Sequence, residues 1–209
     1  MRRDKDLRKA ARACALVALV LVSACTSAKR FAYEGVGRDE WQKPDEVIRA
    51  LSLKPGDRVA DLGAGSGYFT FRLARAVGPT GRVYAVDIDP DMIGLLTERA
   101  KKEDAPNVEV VAAKPDDPML APGSVDLIFT SDAYHHIQNR VAYFSNAAKV
   151  LRPGGRIAVL DFNGSTWAVR SSGHYTPPEQ VKKEMTEAGY RLVNEADFLE
   201  KQSFLIFAR

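Results

Sequence analysis

The residues best placed to do chemistry in this 209-residue chain stand in one short run, Asp61-Leu-Gly-Ala-Gly-Ser-Gly67. Gly63, Gly65 and Gly67, with only the small Ala64 and Ser66 between them, let the backbone take positive φ angles and approach a ligand without Cβ collisions. Asp61 adds a carboxylate two residues ahead of the first glycine. The apolar run Val59 to Leu62 precedes this turn as a strand, and a helix starting near Tyr68 follows it. Unpaired N–H groups at that helix start face whatever lies over the glycines. Arg82-Val-Tyr-Ala-Val-Asp87 is a second apolar strand ending in an acid, about twenty residues on, where a βαβ unit returns to the same edge. A carboxylate there can accept both hydroxyls of a ribose, so the pattern is that of a nucleoside site.

A second cluster follows the apolar run Ser124 to Thr130, in Ser131-Asp-Ala-Tyr-His-His-Ile137. It places Asp132, Tyr134, His135 and His136 past the end of a strand. A neutral imidazole can take a proton from a hydroxyl near pH 7, which makes either histidine a candidate base. The competing reading is that the pair shapes the loop. Adjacent side chains point different ways, and three histidines without a free cysteine make a poor ligand set, so no metal is expected. His174 stands just before a helix start, where a loop hydrogen bond competes with a catalytic role.

Dinucleotide enzymes carry G-x-G-x-x-G. The pattern Asp61-x-Gly63-x-Gly65-x-Gly67 instead closely resembles motif I of the class I S-adenosylmethionine-dependent methyltransferases. The resemblance extends through Asp87, through Val125 to His136 and to Leu151-Arg-Pro-Gly-Gly-Arg-Ile157, and covers about residues 40 to 209. It implies a doubly wound α/β fold: a mostly parallel seven-stranded sheet, helices on both faces, and an antiparallel last strand. It also implies S-adenosyl-L-methionine as cofactor. Asp61, Gly63, Ala64, Gly65 and Gly67 would hold its methionine end, Asp87 its ribose, Ile88 its adenine face, and Asp132 would lie near the sulfonium. The family places an aspartate after the third strand to accept from the adenine amine. Here that position is Lys114, which cannot accept, so Asp116, Asp117 or the backbone would substitute. The implied activity is methyl transfer to a small-molecule or lipid-like acceptor, done largely by holding donor and nucleophile in line. The alternative is an envelope lipoprotein that keeps the fold as a non-catalytic ligand-binding or interaction module.

The N-terminus sets the second question. Residues 1–24 hold six of the 30 basic residues and two of the 27 acidic ones, so the remainder, with 24 against 25, gives no reason to expect nucleic acid. The basic start, the apolar run Ala13 to Val22 and Ser23-Ala24-Cys25 read as a signal peptide over 1–24. Val22-Ser-Ala-Cys25 resembles a lipobox, in which Cys25 is lipidated and contacts the membrane. Residues 25–40 then form a linker and 41–209 the domain, located in the cell envelope, or in the cytoplasm if the signal is misread. Export would separate the domain from the compartment where S-adenosylmethionine is made.

The remaining elements follow from pattern. Helices are expected over Asp45 to Leu51, Pro90 to about Glu103 and Val141 to Val150, with Met92, Leu95 and Leu96 facing inward. Asn107 to Val111 and Arg156 to Asp161 read as strands, the latter after a sharp turn at Arg152 to Gly155. Asn163 to Gly173 reads as irregular, and Thr176, Pro177 and Glu179 as the capped start of a helix. Tyr190 to Ala196 and Ser203 to Ala208 read as a final antiparallel pair. Trp41 is either part of a lid over the cofactor or a cap on the core edge.

Overall fold

Strands that are apolar on both faces must be buried between two layers of helices. A computed structural model describes residues 37–209 and shows that arrangement. Seven strands, β1 (Arg58–Leu62), β2 (Arg82–Asp87), β3 (Val108–Ala112), β4 (Val125–Ser131), β5 (Leu151–Phe162), β6 (Arg191–Ala196) and β7 (Gln202–Ala208), are ordered β3-β2-β1-β4-β5-β7-β6. The pairs among β1 to β5 are parallel, and β7 runs antiparallel to both β5 and β6. The segments expected from sequence as a signal peptide, Cys25 and a linker lie, up to residue 36, outside the described residues.

Helices α1 (Arg38–Gln42), α2 (Pro44–Ala50), α3 (Thr70–Val77), α4 (Pro90–Lys102), α5 (Arg140–Ala147), α6 (Trp167–Ser172) and α7 (Pro178–Glu187) complete the chain. Alternation along each strand assigns its side chains to one layer or the other. Phe129 and Phe204 pack under Val47 and Leu51 at α2 and Leu73 and Val77 of α3. Leu96 of α4 extends this layer onto Ala85. On the opposite face Ile128, Val159 and Phe207 pack under Phe144 of α5 and Val181 and Met185 of α7. No helix among the described residues is long and apolar enough to cross a membrane.

Five local expectations differ from the structure. The helix after the glycines begins at Thr70, because the backbone is still turning at Tyr68. Arg152 to Gly155 do not form a turn ahead of the strand but bulge out within it, since Leu151 pairs with Val125 while Arg156 pairs with Leu127. Within Asn163 to Gly173 lies α6, whose N-cap Thr166 accepts from the amide of Val169. Thr176, expected as a cap, is instead buried with its amide on the carbonyl of Phe162, and α7 starts at Pro178 without a side-chain cap. Residues 38–40, read as linker, open α1. The fold itself is the one expected. The chain runs from β1 outward through β2 and β3, then returns to β4 on β1's other side. That switch point opens the C-terminal ends of β1 and β4 to a ligand.

Candidate cofactor and acceptor site

The glycine turn is built for close approach. Gly63, Gly65 and Gly67 have φ of 74°, 55° and 83°. A Cβ at Gly63 would stand 2.4 Å from that of Ala133, and one at Gly67 would stand 2.7 Å from the Phe71 ring and 2.9 Å from Leu96. The turn therefore lies directly against the segment leaving β4. The amides of Gly63 and Ala64 donate to the Val86 carbonyl at 2.9 and 3.1 Å, which ties the turn to the end of β2.

Asp87 closes this end of the site. Its Oδ2 accepts from the amide of Gly65 at 2.7 Å and its Oδ1 from that of Asp89 at 2.9 Å. Each oxygen keeps a lone pair for a ribose hydroxyl. Beside it Ile88 leaves 58% of its surface exposed, an apolar flank for a flat base. Asp61 is buried and accepts from Thr70 Oγ1 at 2.6 Å. Burial pushes its carboxyl up to about 7; the Thr70 hydrogen bond opposes this and the charge of Asp87 adds to it. An acid held near neutrality ionises readily when a cation approaches. A nucleoside carrying a sulfonium and an ammonium group fits this set of acceptors.

The helix before the first strand reaches the other side. Asp132, at φ 54°, accepts from Arg38 at 3.0 Å, from Gln42 Nε2 at 3.1 Å and from Gln202 Nε2. Burial raises its pKa and Arg38 opposes the rise. The Arg38 guanidinium also lies 3.9 Å from the centre of the Tyr68 ring, whose hydroxyl donates to Asp39. Asp39 in turn pairs with Arg72 at 3.0 Å. Thus α1 is fastened over the switch point by Arg38 and Gln42. Trp41 takes the core-edge role, stacked on Phe162 at 5.7 Å with the Lys201 ammonium 5.5 Å from its ring.

The histidines gather beyond β4. His135 Nδ1 is 2.7 Å from Oδ1 of the fully buried Asp161, whose Oδ2 accepts from the His135 amide at 3.1 Å. The rings of His136 and His174 lie 4.1 and 5.7 Å from that of His135 and 5.4 Å from each other. Partial burial lowers the pKa of His136, and the neighbouring His135 and His174 lower it further. Among the described residues no group of three or more His, Cys, Asp or Glu side chains is arranged to hold a metal ion.

Tyr134, a sequence candidate, does not reach this cluster. It is fully buried against Phe144 at 5.3 Å, and its hydroxyl donates to Glu184 at 2.8 Å. Arg140 grips the same carboxylate at 2.6 and 2.8 Å. Burial works against ionisation of Glu184, but hydrogen bonds from Arg140, Gln180 and Tyr134 outweigh it and hold the carboxyl at about 2. Asp117 accepts from the Met119 amide at 2.8 Å and from Lys149 at 3.2 Å, and Asp116 beside it is exposed. A cavity of about 500 Å³ lined by Tyr84, Val111, Leu120 and Ser124 includes none of the glycine-turn residues.

Sequence reading missed Arg38, Gln42, Thr70 and Asp161. Asp161 had a signal: it is next to last in its strand, as Asp61 is in β1, and Asp87 ends another.

Sheet order, glycine turn and strand-end acids together define the class I S-adenosylmethionine-dependent methyltransferase fold. Residues 53–203 match the methyltransferase domain family, and the chain belongs to that family. It is similar to an arsenite methyltransferase of Halobacterium salinarum, 36% identical over 110 residues that make up 53% of this chain and 28% of the relative. It is also similar to a ubiquinone/menaquinone biosynthesis C-methyltransferase of Shewanella pealeana, 31% identical over 118 residues, 56% of this chain and 47% of that protein. Each match thus spans under half of the relative's length. A structure of a SAM-dependent methyltransferase from Aquifex aeolicus shares the fold, with a TM-score of 0.77 and 24% identity, covering 88% of this chain and 97% of the other.

Proposed function

We propose that this protein transfers a methyl group from S-adenosylmethionine to a small-molecule or lipid-like acceptor, as an exported lipoprotein anchored through Cys25. The observation that carries the enzymatic part is Asp87. It is fastened to the glycine turn through Gly65 with one lone pair spare on each oxygen, beside exposed Ile88. That arrangement presents a ribose acceptor, an adenine flank and a close-approach backbone at one switch point. When bound, S-adenosylmethionine supplies an electrophilic methyl group. The chain's own part is positional: Asp87 and Ile88 orient the nucleoside, Asp61 and the turn at Gly63, Ala64, Gly65 and Gly67 receive the methionine end, and α1 with Asp132 excludes water. Relatives named for arsenite and for quinone biosynthesis support a small or lipid-like acceptor. The envelope location is supported by the sequence from the basic start to Cys25.

Calorimetric titration of S-adenosylmethionine into the full chain tests the enzymatic part. Micromolar binding lost in Asp87→Ala is expected; a folded wild-type chain that binds none would overturn it. Incorporation of labelled palmitate in cells, abolished by Cys25→Ser, is the expected mark of the anchor, and an unlabelled, cytoplasmic product would remove that half.

A further inference from the structure

Positioning alone accounts for the glycine turn, Asp61, Asp87 and α1, but it leaves His135 and Asp161 without a task. A buried carboxylate is retained against its desolvation only where something holds it. Asp161 is fully buried and accepts from the amides of His135 and Phe162, each at 3.1 Å, and from the His135 ring at 2.7 Å. Because a carboxylate can only accept, the ring nitrogen facing it carries the hydrogen, and Nε2 is left with a lone pair. No described residue hydrogen-bonds Nε2. The ring is also well placed. Ala133, two residues before it, is the residue against which Gly63 is pressed, so the turn bearing His135 abuts the floor of the methionine end.

We propose that His135, oriented by Asp161, is the general base of the transfer, and that the acceptor is a hydroxyl or phenol that loses its proton on methylation. This rests on the methyltransferase reading above and narrows its substrate class. The Nε2 lone pair takes the acceptor's proton, and the acceptor oxygen keeps the O–H bonding pair. That oxygen forms the O–C bond as the C–S bond breaks, with the breaking pair left on sulfur. One positive charge disappears at sulfur while one appears on His135 beside the Asp161 carboxylate, so the pocket's net charge does not change. This spares the reaction a charge separation. The exposed rings of His136 and His174, 4.1 and 5.7 Å from that of His135, stand ready to carry the proton on to solvent. The titratable groups facing His135 are Asp161 from β5, His136 in its own turn and His174 from the loop before α7, with Asp132 nearby at the end of β4. An acceptor that attacks through a lone pair without losing a proton, as arsenite does, would leave this base unused.

Two readouts on the full chain test the proposal. Long-range 1H–15N correlation of the imidazole groups at pH 8 is expected to show His135 protonated on Nδ1, with that preference lost in Asp161→Asn. A wild-type His135 protonated on Nε2 overturns it. The second readout is methyl transfer to a series of phenols of graded acidity. His135→Gln is expected to slow transfer to the weakly acidic phenols by about 100-fold or more. The loss should shrink toward none for 4-nitrophenol, which is ionised at pH 8, while affinity for S-adenosylmethionine is unchanged. Asp161→Asn should give a smaller loss of the same kind. An equal loss for every phenol, or methylation of arsenite with all phenols inert, overturns the proposal while leaving the methyltransferase reading intact. Absence of S-adenosylmethionine binding by the wild type would instead refute the reading beneath it.

Discussion

Asp61→Asn should stabilise this protein at neutral and alkaline pH while removing its cofactor site. Asp61 is buried at the end of β1, and its carboxyl is held at about 7 against an ordinary 3.8. The folded chain keeps this proton up to about pH 7, whereas the unfolded chain releases it near the ordinary value. Between those limits the unfolded state binds fewer protons, so stability falls as pH rises, and the full penalty is present above pH 7. The gap from 3.8 to about 7, at about 1.4 kcal/mol per pH unit, sets that penalty at about 4 kcal/mol. Asparagine cannot ionise, and its Oδ1 can still accept from Thr70. The variant should therefore match the wild type near pH 4 and exceed it by about 2–4 kcal/mol at pH 8. With a urea dependence of about 2 kcal/mol per molar, the unfolding midpoint at pH 8 rises by about 1–2 M. Urea titrations of both proteins at several pH values, followed by far-ultraviolet circular dichroism, read this directly. A difference that stays flat with pH, or a variant that loses stability as pH rises, would refute the burial argument. Loss of S-adenosylmethionine binding in the same variant would show that the strained acid is retained for the ligand.

The other predictions concern packing and charge. Gly63→Ala places a Cβ 2.4 Å from Ala133 at a φ of 74°, so the glycine turn must move or strain. We expect a loss of about 2–4 kcal/mol in thermal unfolding, together with weakened cofactor binding. Glu184→Gln keeps the shape but removes the charge gripped by Arg140, at a cost of about 2 kcal/mol near pH 7. Because the Glu184 carboxyl is held at about 2, its contribution is complete above the ordinary glutamate range and fades as pH falls toward 2. Wild type and Glu184→Gln should converge in acid denaturation; a constant gap would assign the loss to packing.

Much of the fold was legible because its signals are local. The apolar runs ending at Leu62 and Thr130 predict strands within a residue of β1 and β4, and Pro90 marks the start of α4. Misreadings fell where local cues compete with tertiary ones. Thr176 has cap chemistry, yet it is buried with its amide on the Phe162 carbonyl, and the helix begins at Pro178, one residue later than a Thr176 cap predicts. The polar run around Trp167 carried too little apolar periodicity to announce α6, because none of its six residues is buried.

What the sequence determined by itself is the cofactor half of the site. Asp61, the three glycines and Asp87 lie within one βαβ unit, and strand, turn and helix geometry alone bring them together, so spacing suffices to read them. The histidine side of the candidate site was decided by the tertiary structure. Arg38 meets Asp132 across 94 positions and His135 finds Asp161 across 26, while Tyr134 is drawn away from them to Glu184 across 50. Those encounters depend on which strands become neighbours at the switch point and how closely α1 and the β4 turn pack there. No pattern along the chain encodes that, because it is set by the joint burial of elements far apart in sequence.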